Sequence, residues 1–506
     1  MKQLIEGGRV LSVGRLDGAF GNLLIDADRI LAVLRPDDPV TEDARRIDAN
    51  DRLLIPGLVN AHTHAASNLS KGLADCWSLE LLLNAFPWTA GGRTLDLKYL
   101  SALIGAVEMV SKGCTACYDL VAEIPAPSRD GIEAVARAYR DVGMRAVIAP
   151  MMADLSFWHA IPGLIEAVPA GLRERVEAIR PGPHEASLAT CRTLMKTWSF
   201  DRERLRPALA PTIPHHCTDA FLAGCRDLAV EYGAGVHMHV AESKVQAIVG
   251  VDRYGTTLVG HLDRLGMLTP GFTAAHAVWL DNDDLRRLAD GGAAVAHNPG
   301  SNLKLGGGLS PTSRMRDLGM PVGIGTDGCS CSDNLNMFEA MRLAAFGSRV
   351  QGPDPRQWLT AAEAFEAATS GGARALGLDD RIGRLAPGYQ ADVVFLDLTS
   401  INYVPLNEPL NHVVFCEDGT GVAAVMIGGR MVVEGGRVLG VDMRKLAAEA
   451  AAAAAHLAEV NAGARALVEA LEPVVLDYCV GLARRPYRVE RWCIDPRHAA
   501  PVEPAD

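Results

Sequence analysis

The chain has 506 residues, of which 49% are hydrophobic and 22% are charged, and its formal net charge is −12. This composition predicts a soluble, well-cored globular protein and disfavours nucleic acid as a partner, because a negative surface repels polyanions. Since no run of about 18 apolar residues is present, we expect no membrane span.

The start of the chain, MKQLIEGGRV, lacks the apolar core of a signal peptide. The 11 cysteines are odd in number and scattered along the chain, which fits reduced thiols better than a disulfide framework. Together, these two features predict a cytoplasmic protein.

Residues 1–52 are typical of short strands separated by turns. From Leu53 onward, apolar runs alternate with helix-like segments, which predicts an α/β fold with a (β/α)8, TIM-like barrel. A doubly wound open sheet is the alternative, but no Gly-rich dinucleotide fingerprint follows any of the runs. The eight predicted barrel strands are Leu53–His64, Cys114–Leu120, Met144–Met152, Leu205–Thr212, Gly235–Glu242, Phe272–Leu280, Ala293–Asn298 and Pro321–Asp327.

After the predicted barrel, β-like segments with Gly-Gly turns return. The simplest assembly is a small β-sandwich built from both chain ends, with the barrel inserted between its halves. An Ala-rich helix is expected over 441–471, and the sequence does not decide where the remaining tail packs. The predicted domains are sandwich residues 1–56, barrel residues 57–387, sandwich residues 388–440, and a helical extension with tail at 441–506.

The first predicted barrel strand ends in His62-Thr63-His64. Residues i and i+2 of a strand point to the same side, so the two imidazoles share one face. Such a pair can hold a divalent transition metal, although an isolated pair of this kind is a weak signal.

Other polar side chains stand at the ends of later strands, and in a barrel these strand ends meet at one mouth. Any one of them alone fits a structural role, and Asp327 before Gly328 also fits a simple turn. Their joint occurrence favours one metal site with an open position for water. The residues are His237, His239, Glu242, His276, His297, Asn298 and Asp327. Spacing alone cannot choose between His237 and His239, and we interpret His237 as structural.

Five motifs, in order, carry a resemblance to a known family: HTHAA, HMHVAES, the strand of His276, HNPGSNLKLGGG and GTDG. Together they resemble the amidohydrolase superfamily, within it the branch of cytosine, guanine and S-adenosylhomocysteine deaminases and of triazine aminohydrolases and chlorohydrolases. The resemblance runs from about residue 50 to residue 440 and includes Lys71–Leu83.

The resemblance implies one divalent metal ion, zinc or alternatively ferrous iron. Relatives with two ions need a carboxylated Lys on the fourth strand, and Leu205–Thr212 contains none. The implied metal ligands are His62, His64, His239 and Asp327.

Three residues would then carry the chemistry. His276 would orient the water or the substrate, Asp327 would accept the proton of a water whose pKa falls to about 7, and Glu242 would protonate the leaving nitrogen. The implied reaction is deamination of an N-heterocyclic small molecule such as a purine, pyrimidine or triazine. The alternatives are hydrolysis of another C–N bond or a C–Cl bond and, with a missing ligand, a non-catalytic scaffold.

Substrate contacts are predicted less directly. Leu209 stands where adenosine-type deaminases carry a His, which puts nucleoside deamination in doubt, while His215 and His216 are possible replacements or a surface loop pair. Phe86 and Cys331 are further candidates for a flat apolar pocket. The predicted substrate contacts are His297, Asn302, Trp77 and Trp88. The resemblance also implies a homo-oligomer.

Overall fold

The computed structural model describes residues 2–39 and 43–493. Strands and helices alternate through most of this range. The strands, in chain order, are β1 (Lys2–Val10), β2 (Phe20–Asp26), β3 (Arg29–Leu34), β4 (Arg45–Asp48), β5 (Arg52–Pro56), β6 (Leu58–Thr63), β7 (Cys114–Ala122), β8 (Arg145–Met152), β9 (Leu205–Pro207), β10 (Ala210–Pro211), β11 (Val236–Val240), β12 (Phe272–His276), β13 (Ala294–His297), β14 (Val322–Ile324), β15 (Val393–Asp397), β16 (Val422–Ile427), β17 (Arg430–Glu434) and β18 (Arg437–Val438).

The α-helices lie mainly between the strands from β6 to β15, and the last two follow β18. They are α1 (Leu79–Ala90), α2 (Leu95–Ser111), α3 (Arg129–Val142), α4 (Phe157–Ala160), α5 (Leu164–Ala167), α6 (Ala170–Glu177), α7 (His184–Thr197), α8 (Asp219–Tyr232), α9 (Lys244–Tyr254), α10 (Leu258–Arg264), α11 (Asn282–Asp290), α12 (Pro299–Lys304), α13 (Thr312–Asp317), α14 (Met337–Arg349), α15 (Ala361–Glu366), α16 (Gly372–Ala375), α17 (Pro409–Phe415), α18 (Met443–Val460) and α19 (Ala462–Ala483). Within the described residues, no helix is both long and apolar enough to cross a bilayer.

Strands from both ends of the chain join in one mixed sheet of nine strands, ordered β18-β17-β16-β15-β5-β1-β2-β3, with β4 beside β1. The junction is the antiparallel pair of β5 and β15, in which Leu54 lies opposite Phe395. Both residues belong to an apolar cluster that also contains Ile5, Leu23 and Met426. Chain ends far apart in sequence therefore bury a common core.

The first predicted barrel strand, Leu53–His64, is in fact two strands, so this prediction is wrong in extent. β5 belongs to the mixed sheet, whereas β6 starts a parallel sheet, and Gly57 lies between them. A Cβ at Gly57 would lie 2.0 Å from Thr115 Oγ1, so only glycine allows this close approach to β7. The apolar run looks continuous because both strands are buried.

The parallel strands form two sheets: β6, β7, β8 and β10, with β9 also paired to β8, and then β11 to β14 in chain order. Along one edge the sheets meet at Leu209, whose amide donates to Gly235 O at 3.0 Å. At the other edge, the Asp327 amide donates to His62 O at 2.9 Å. Parallel strands joined by helices in this order fit the predicted TIM-like architecture.

A buried ion pair ties the parallel strands to the mixed sheet. The Arg145 guanidinium on β8 donates to Asp392 Oδ2 at 2.9 Å and to Gln390 Oε1 at 2.6 Å. The other Asp392 oxygen accepts the Gly428 amide at 2.7 Å. Both charged side chains are about 2–3% exposed, so each depends on the other for compensation.

The predicted Ala-rich helix is two helices, because α18 and α19 are separated at Asn461. The Asn461 side chain donates to Gly91 O at 3.1 Å, just after α1, which fixes the break. α19 then packs along α1, where Asn84 Nδ2 donates to Val468 O at 3.1 Å. Beyond α19, Trp492 Nε1 donates to Gly306 O at 2.8 Å, so the described part of the tail packs on the parallel-strand region.

We expect Arg145→Met to lower the free energy of unfolding by about 3–5 kcal/mol, because Asp392 would remain buried without its cation. Urea unfolding followed by circular dichroism measures this change. Arg356→Met is the matched control, because the Arg356–Asp354 pair is largely exposed on the Arg356 side, at 88%. Equal midpoints for the two variants would contradict the assignment of Arg145 as a structural tie.

Candidate metal centre

Four predicted ligand side chains meet at the carboxyl ends of the parallel strands. His62 lies on β6 and His64 directly follows it, His239 lies on β11, and Asp327 follows β14. His64 Nε2 lies 3.3 Å from His239 Nε2, and Asp327 Oδ1 lies 3.2 Å from His64 Nε2 and 3.5 Å from His62 Nε2. The three histidine ligand atoms all lie within 4.8 Å of one another.

Backbone carbonyls orient two of these imidazoles. His64 Nδ1 lies 2.8 Å from Leu120 O, and His239 Nδ1 lies 2.8 Å from Thr212 O. A carbonyl only accepts, so each Nδ1 carries the proton and each neutral ring presents an unprotonated Nε2. Two nitrogen lone pairs facing each other at 3.3 Å repel unless a cation or a proton lies between them.

The third imidazole is oriented by another histidine. His62 Nδ1 lies 3.1 Å from His237 Nε2, and both rings are fully buried. His237 packs edge-on against Tyr118, with ring centroids 4.4 Å apart. His237 therefore lies behind His62 and supports its ring, whereas His239 faces the other ligands. The spacing of the two residues in the sequence had left this distinction open.

The charges of the cluster are strongly coupled. Burial lowers the pKa of His62 to about 3. Burial also opposes charge on His64, but the hydrogen bond to Asp327 and the attraction of that carboxylate leave the pKa of His64 raised. Burial disfavours the Asp327 carboxylate too, yet His62 and His64 hold its pKa well below the ordinary value. Positive charge is therefore favoured at His64, beside the buried Asp327 carboxylate, and disfavoured at His62.

This donor set fits a zinc ion. Zn²⁺ holds nitrogen and oxygen ligands at about 2.0–2.2 Å in a tetrahedron, which separates neighbouring ligand atoms by roughly 3.3–3.6 Å. The contacts of His64 Nε2 with His239 and Asp327, and that of His62 Nε2 with Asp327, span 3.2–3.5 Å. Imidazole and carboxylate are also ligand types that suit zinc and iron.

His276 lies beside the four ligands at the end of β12. Its Nδ1 lies 2.9 Å from Asn302 Oδ1, and its Nε2 lies 3.9 Å from Asp327 Oδ2. Burial lowers the pKa of His276, so the ring is neutral with its proton on Nδ1. The buried Nε2 has no hydrogen-bond partner among the described residues and presents a lone pair to the centre.

Glu242 is the second carboxyl group at this centre. It is 4% exposed, and its Oε1 lies 3.6 Å from His276 Nδ1. Burial, followed by repulsion from Asp327 and Glu80, raises the pKa of Glu242 well above its ordinary value. The two carboxyl groups therefore have opposite proton affinities, an arrangement typical of acid and base partners in active sites.

Several residues at these strand ends have strained backbones. Ala241, His276, Ala277 and Asp327 all have φ between 49° and 67°, although none is glycine. Left-handed conformations of this kind cost about 1–3 kcal/mol each and cluster at functional sites. The strain turns the chain sharply just where its side chains enter the centre.

A cavity of about 710 Å³ opens directly onto this centre. His64, His239, Glu242 and Asp327 form its floor. The remaining lining residues are Ala66, Ser67, Ser70, Leu79, Leu82, Leu83, Phe86, Thr89, Ala90, Ala122, Met151, Thr212, Ile213, Ser330 and Cys331.

The predicted substrate contacts Trp77 and Trp88 lie outside the lining of this cavity. Their rings pack edge to face at 6.0 Å, and the Arg465 guanidinium of α19 lies 5.0 Å from the Trp88 ring centroid. Trp77 also packs with Leu471 of the same helix. Trp88 faces α19 because α1 turns its opposite side toward the cavity.

His297 and Asn302 also lie outside the cavity lining. Burial lowers the pKa of His297 to about 3, which keeps the ring neutral behind the centre. Asn302 instead contacts His276, so its place is that of a positioning residue. His215 and His216 are buried rather than on the surface, and neither lines the cavity.

One pair of hydrogen bonds near the centre involves residues that were not predicted from the sequence. Asn60 is fully buried on β6, donates to Thr326 Oγ1 at 2.7 Å and accepts the Thr326 amide at 3.0 Å. This pair joins the strand of His62 to the segment that carries Asp327. A signal was present, because Asn60 interrupts an apolar run in the same strand parity as His62.

Comparison with known proteins places this geometry in context. Residues 53–432 match the family model described as "Amidohydrolase family". The chain is 34% identical to a 5'-deoxyadenosine deaminase of Methanothermobacter thermautotrophicus over 90% of this chain and 98% of that protein. It is 32% identical to a 5-methylthioadenosine/S-adenosylhomocysteine deaminase of Syntrophobacter fumaroxidans over 82% and 88% of the two chains.

Two solved structures are similar to the whole fold. An adenosine deaminase of Xanthomonas campestris with bound zinc has a TM-score of 0.79 and 28% identity, covering 90% of this chain and 98% of its own. The atrazine chlorohydrolase TrzN of Arthrobacter aurescens, complexed with zinc, has a TM-score of 0.80 and 25% identity, covering 89% and 99%. Because the family model spans most of the sequence and these relatives align over nearly their full lengths, the chain belongs to the amidohydrolase family.

Proposed function

We propose that this chain is a metal-dependent aminohydrolase that releases ammonia from an amino-substituted N-heterocycle. The observation that carries the proposal is the convergence of His62, His64, His239 and Asp327 beside a buried Glu242, at the floor of one cavity. The family membership and the deaminase names of the relatives support the same reaction.

We propose one zinc ion as the cofactor, with ferrous iron as the alternative. His62, His64, His239 and Asp327 would hold it, and the cavity side would remain open. Two relatives in structure carry zinc, and Leu205–Thr212 has no Lys for a second ion. When bound, the ion supplies Lewis acidity, which makes water acidic near neutral pH.

The protein's own residues would divide the proton transfers. Asp327 would take the proton of the attacking water, and the His276 Nε2 lone pair would accept a hydrogen bond that aims the water at the ring carbon. Glu242, which carries a proton because it is buried, would donate it to the leaving nitrogen, so that ammonia rather than an amide anion departs. Asn302 would hold His276 in this orientation.

We also propose that the parallel strands close into one (β/α)8 barrel, residues 57–387. The hydrogen bonds of Leu209 with Gly235 and of Asp327 with His62 support closure at both seams. The mixed sheet would fold as a β-sandwich of residues 1–56 and 388–440, because β1 pairs with β4 through its first half and with β5 through its second. Residues 441–493 would form the extension, and the rest of the predicted tail, 494–506, lies outside the described residues.

Two further properties remain proposals based on the sequence and on family resemblance, namely a cytoplasmic location and a homo-oligomeric state. Light scattering coupled to size-exclusion chromatography measures the oligomer directly. A purely monomeric protein at micromolar concentration would contradict the second property.

Hydrolysis of a C–Cl bond is a second candidate, because TrzN is among the similar structures. The two reactions differ in the leaving group. Chloride leaves as an anion and needs no proton, whereas an amine does, so the buried protonated Glu242 favours ammonia release. Measuring ammonia and chloride from aminated and chlorinated forms of one ring separates the candidates.

We expect His239→Ala and Asp327→Ala to reduce turnover below detection and to leave the purified protein with less than stoichiometric metal, because each removes a ligand. Elemental analysis and coupled ammonia detection measure the two effects, and circular dichroism checks folding. His456→Ala, an exposed position on α18, is the matched control. Turnover at the unmodified level in either ligand variant would refute the site.

We expect Glu242→Gln to lower kcat by roughly 10²–10⁴-fold while leaving metal content unchanged, because an amide cannot deliver the proton. Steady-state kinetics and elemental analysis of the same preparation provide the test. If the variant instead lost its metal, Glu242 would be a ligand rather than an acid.

We expect one equivalent of zinc or iron per chain. Removal by a chelator should abolish ammonia release, and addition of a single equivalent of the same metal should restore it. Full recovery of ammonia release at one equivalent of metal per chain would support the one-ion centre. A requirement for two equivalents would contradict it.

A further inference from the structure

The wall of the cavity is apolar beyond its catalytic floor. One face of α1 contributes Leu79, Leu82, Leu83, Phe86 and Ala90, at helical spacing, and each of these side chains lines the cavity. The opposite wall consists of Ala122, Met151 and Ile213. A substituent that projects from the reacting ring therefore meets hydrocarbon on both sides.

The polar groups of the wall are largely engaged within the protein. Ser67 Oγ donates to His64 O at 2.8 Å and accepts the Cys329 amide at 2.8 Å. Ser70 Oγ donates to Thr89 O at 2.8 Å and accepts from Arg93 at 3.1 Å. These two hydroxyls hold the loop between β6 and α1, and neither has an O–H left to donate to a ligand.

The nearest cation is engaged in the same way. Arg93 donates to Ala66 O, to Ser101 Oγ, to Ser70 Oγ and to Thr89 O, and burial lowers its pKa to about 10. It lies behind the wall rather than on it, and no Lys or Arg lines the cavity among the residues that the structure describes. An anionic substituent would find no counter-charge there.

A sugar substituent would find no uncommitted carboxylate on the wall. Vicinal hydroxyls are best bound by a carboxylate, because charge-assisted hydrogen bonds are the strong ones. The only lining carboxyl groups among the described residues are Glu242 and Asp327, which the proposed chemistry uses. The neutral hydroxyls of Thr89, Thr212 and Ser330 remain, and these suit the polar edge of a flat ring.

We infer that the substrate is an uncharged N-heterocycle carrying an apolar substituent, rather than a nucleoside or an anionic nucleoside derivative. The inference rests on the proposed deaminase function. It departs from the names of the similar deaminases, whose substrates carry ribosyl groups. The amino group of the ring would lie at the metal centre, and the substituent would extend along the apolar face of α1.

The test uses pairs of substrates that differ only in two hydroxyls. Adenine, guanine, cytosine and melamine each carry either a propyl or a 2,3-dihydroxypropyl group, and the ribosides of the first three are added. Ammonia release gives kcat/KM for each compound. For the ring that is accepted, we expect the propyl form to exceed the diol by roughly 10²-fold, the discrimination typical of an apolar pocket against an added hydroxyl.

A variant links the preference to the wall. Leu82 is partly exposed to the cavity, and Leu82→Asp places a carboxylate where the diol would lie. We expect it to shift the propyl-to-diol ratio at least tenfold toward the diol. Leu95→Asp, on an exposed site at the start of α2, is the control and should leave the ratio unchanged. If Leu82→Asp does not fold, Phe86→Ser should raise KM for the propyl form with little change in kcat.

The outcomes are distinguishable. Diols or ribosides used as well as, or better than, the propyl compounds would overturn the inference and leave the proposed deaminase intact. Ammonia from no compound in any series would contradict the proposed function, and the inference would fail with it.

Discussion

Imidazole lone pairs and a carboxylate directed at one point are unstable together unless positive charge lies among them. In this chain the need for positive charge is reflected in the raised pKa of His64 and in the lowered pKa of Asp327. A proton supplies part of this positive charge. A divalent cation supplies all of it, and its coordination distances match the 3.2–3.5 Å between the ligand atoms. The positions of the other residues at the centre follow from this requirement.

The fold meets this requirement with groups that carry no charge of their own. The carbonyls of Leu120 and Thr212 fix the tautomers of His64 and His239, and His237 orients the ring of His62. Such outer partners are known to set both the orientation and the basicity of metal-binding histidines. Because two of the three are backbone groups, they depend on strand register rather than on side-chain identity.

Helix α1 forms a wall of the cavity that opens onto the candidate metal centre. Its inner face lines the cavity with apolar side chains, and its outer face packs against α19 through Trp88 and Asn84. Trp77, just before the helix, packs beside Trp88. The C-terminal helix therefore supports the substrate wall without touching the cavity. The two tryptophans, which the sequence predicted as substrate contacts, pack against each other outside the cavity lining.

The amino-acid order alone predicted that His62, His64, Glu242 and Asp327 lie near one another, because each ends a predicted strand and parallel strands end at one mouth. It could not separate His237 from His239, since residues two apart share a face and differ only in depth along the strand. It also merged β5 with β6, because burial on both sides erases the alternation that marks a strand boundary. Depth, register and the side of α1 that faces inward depend on long-range packing, and they emerged only once the strands and helices were assembled.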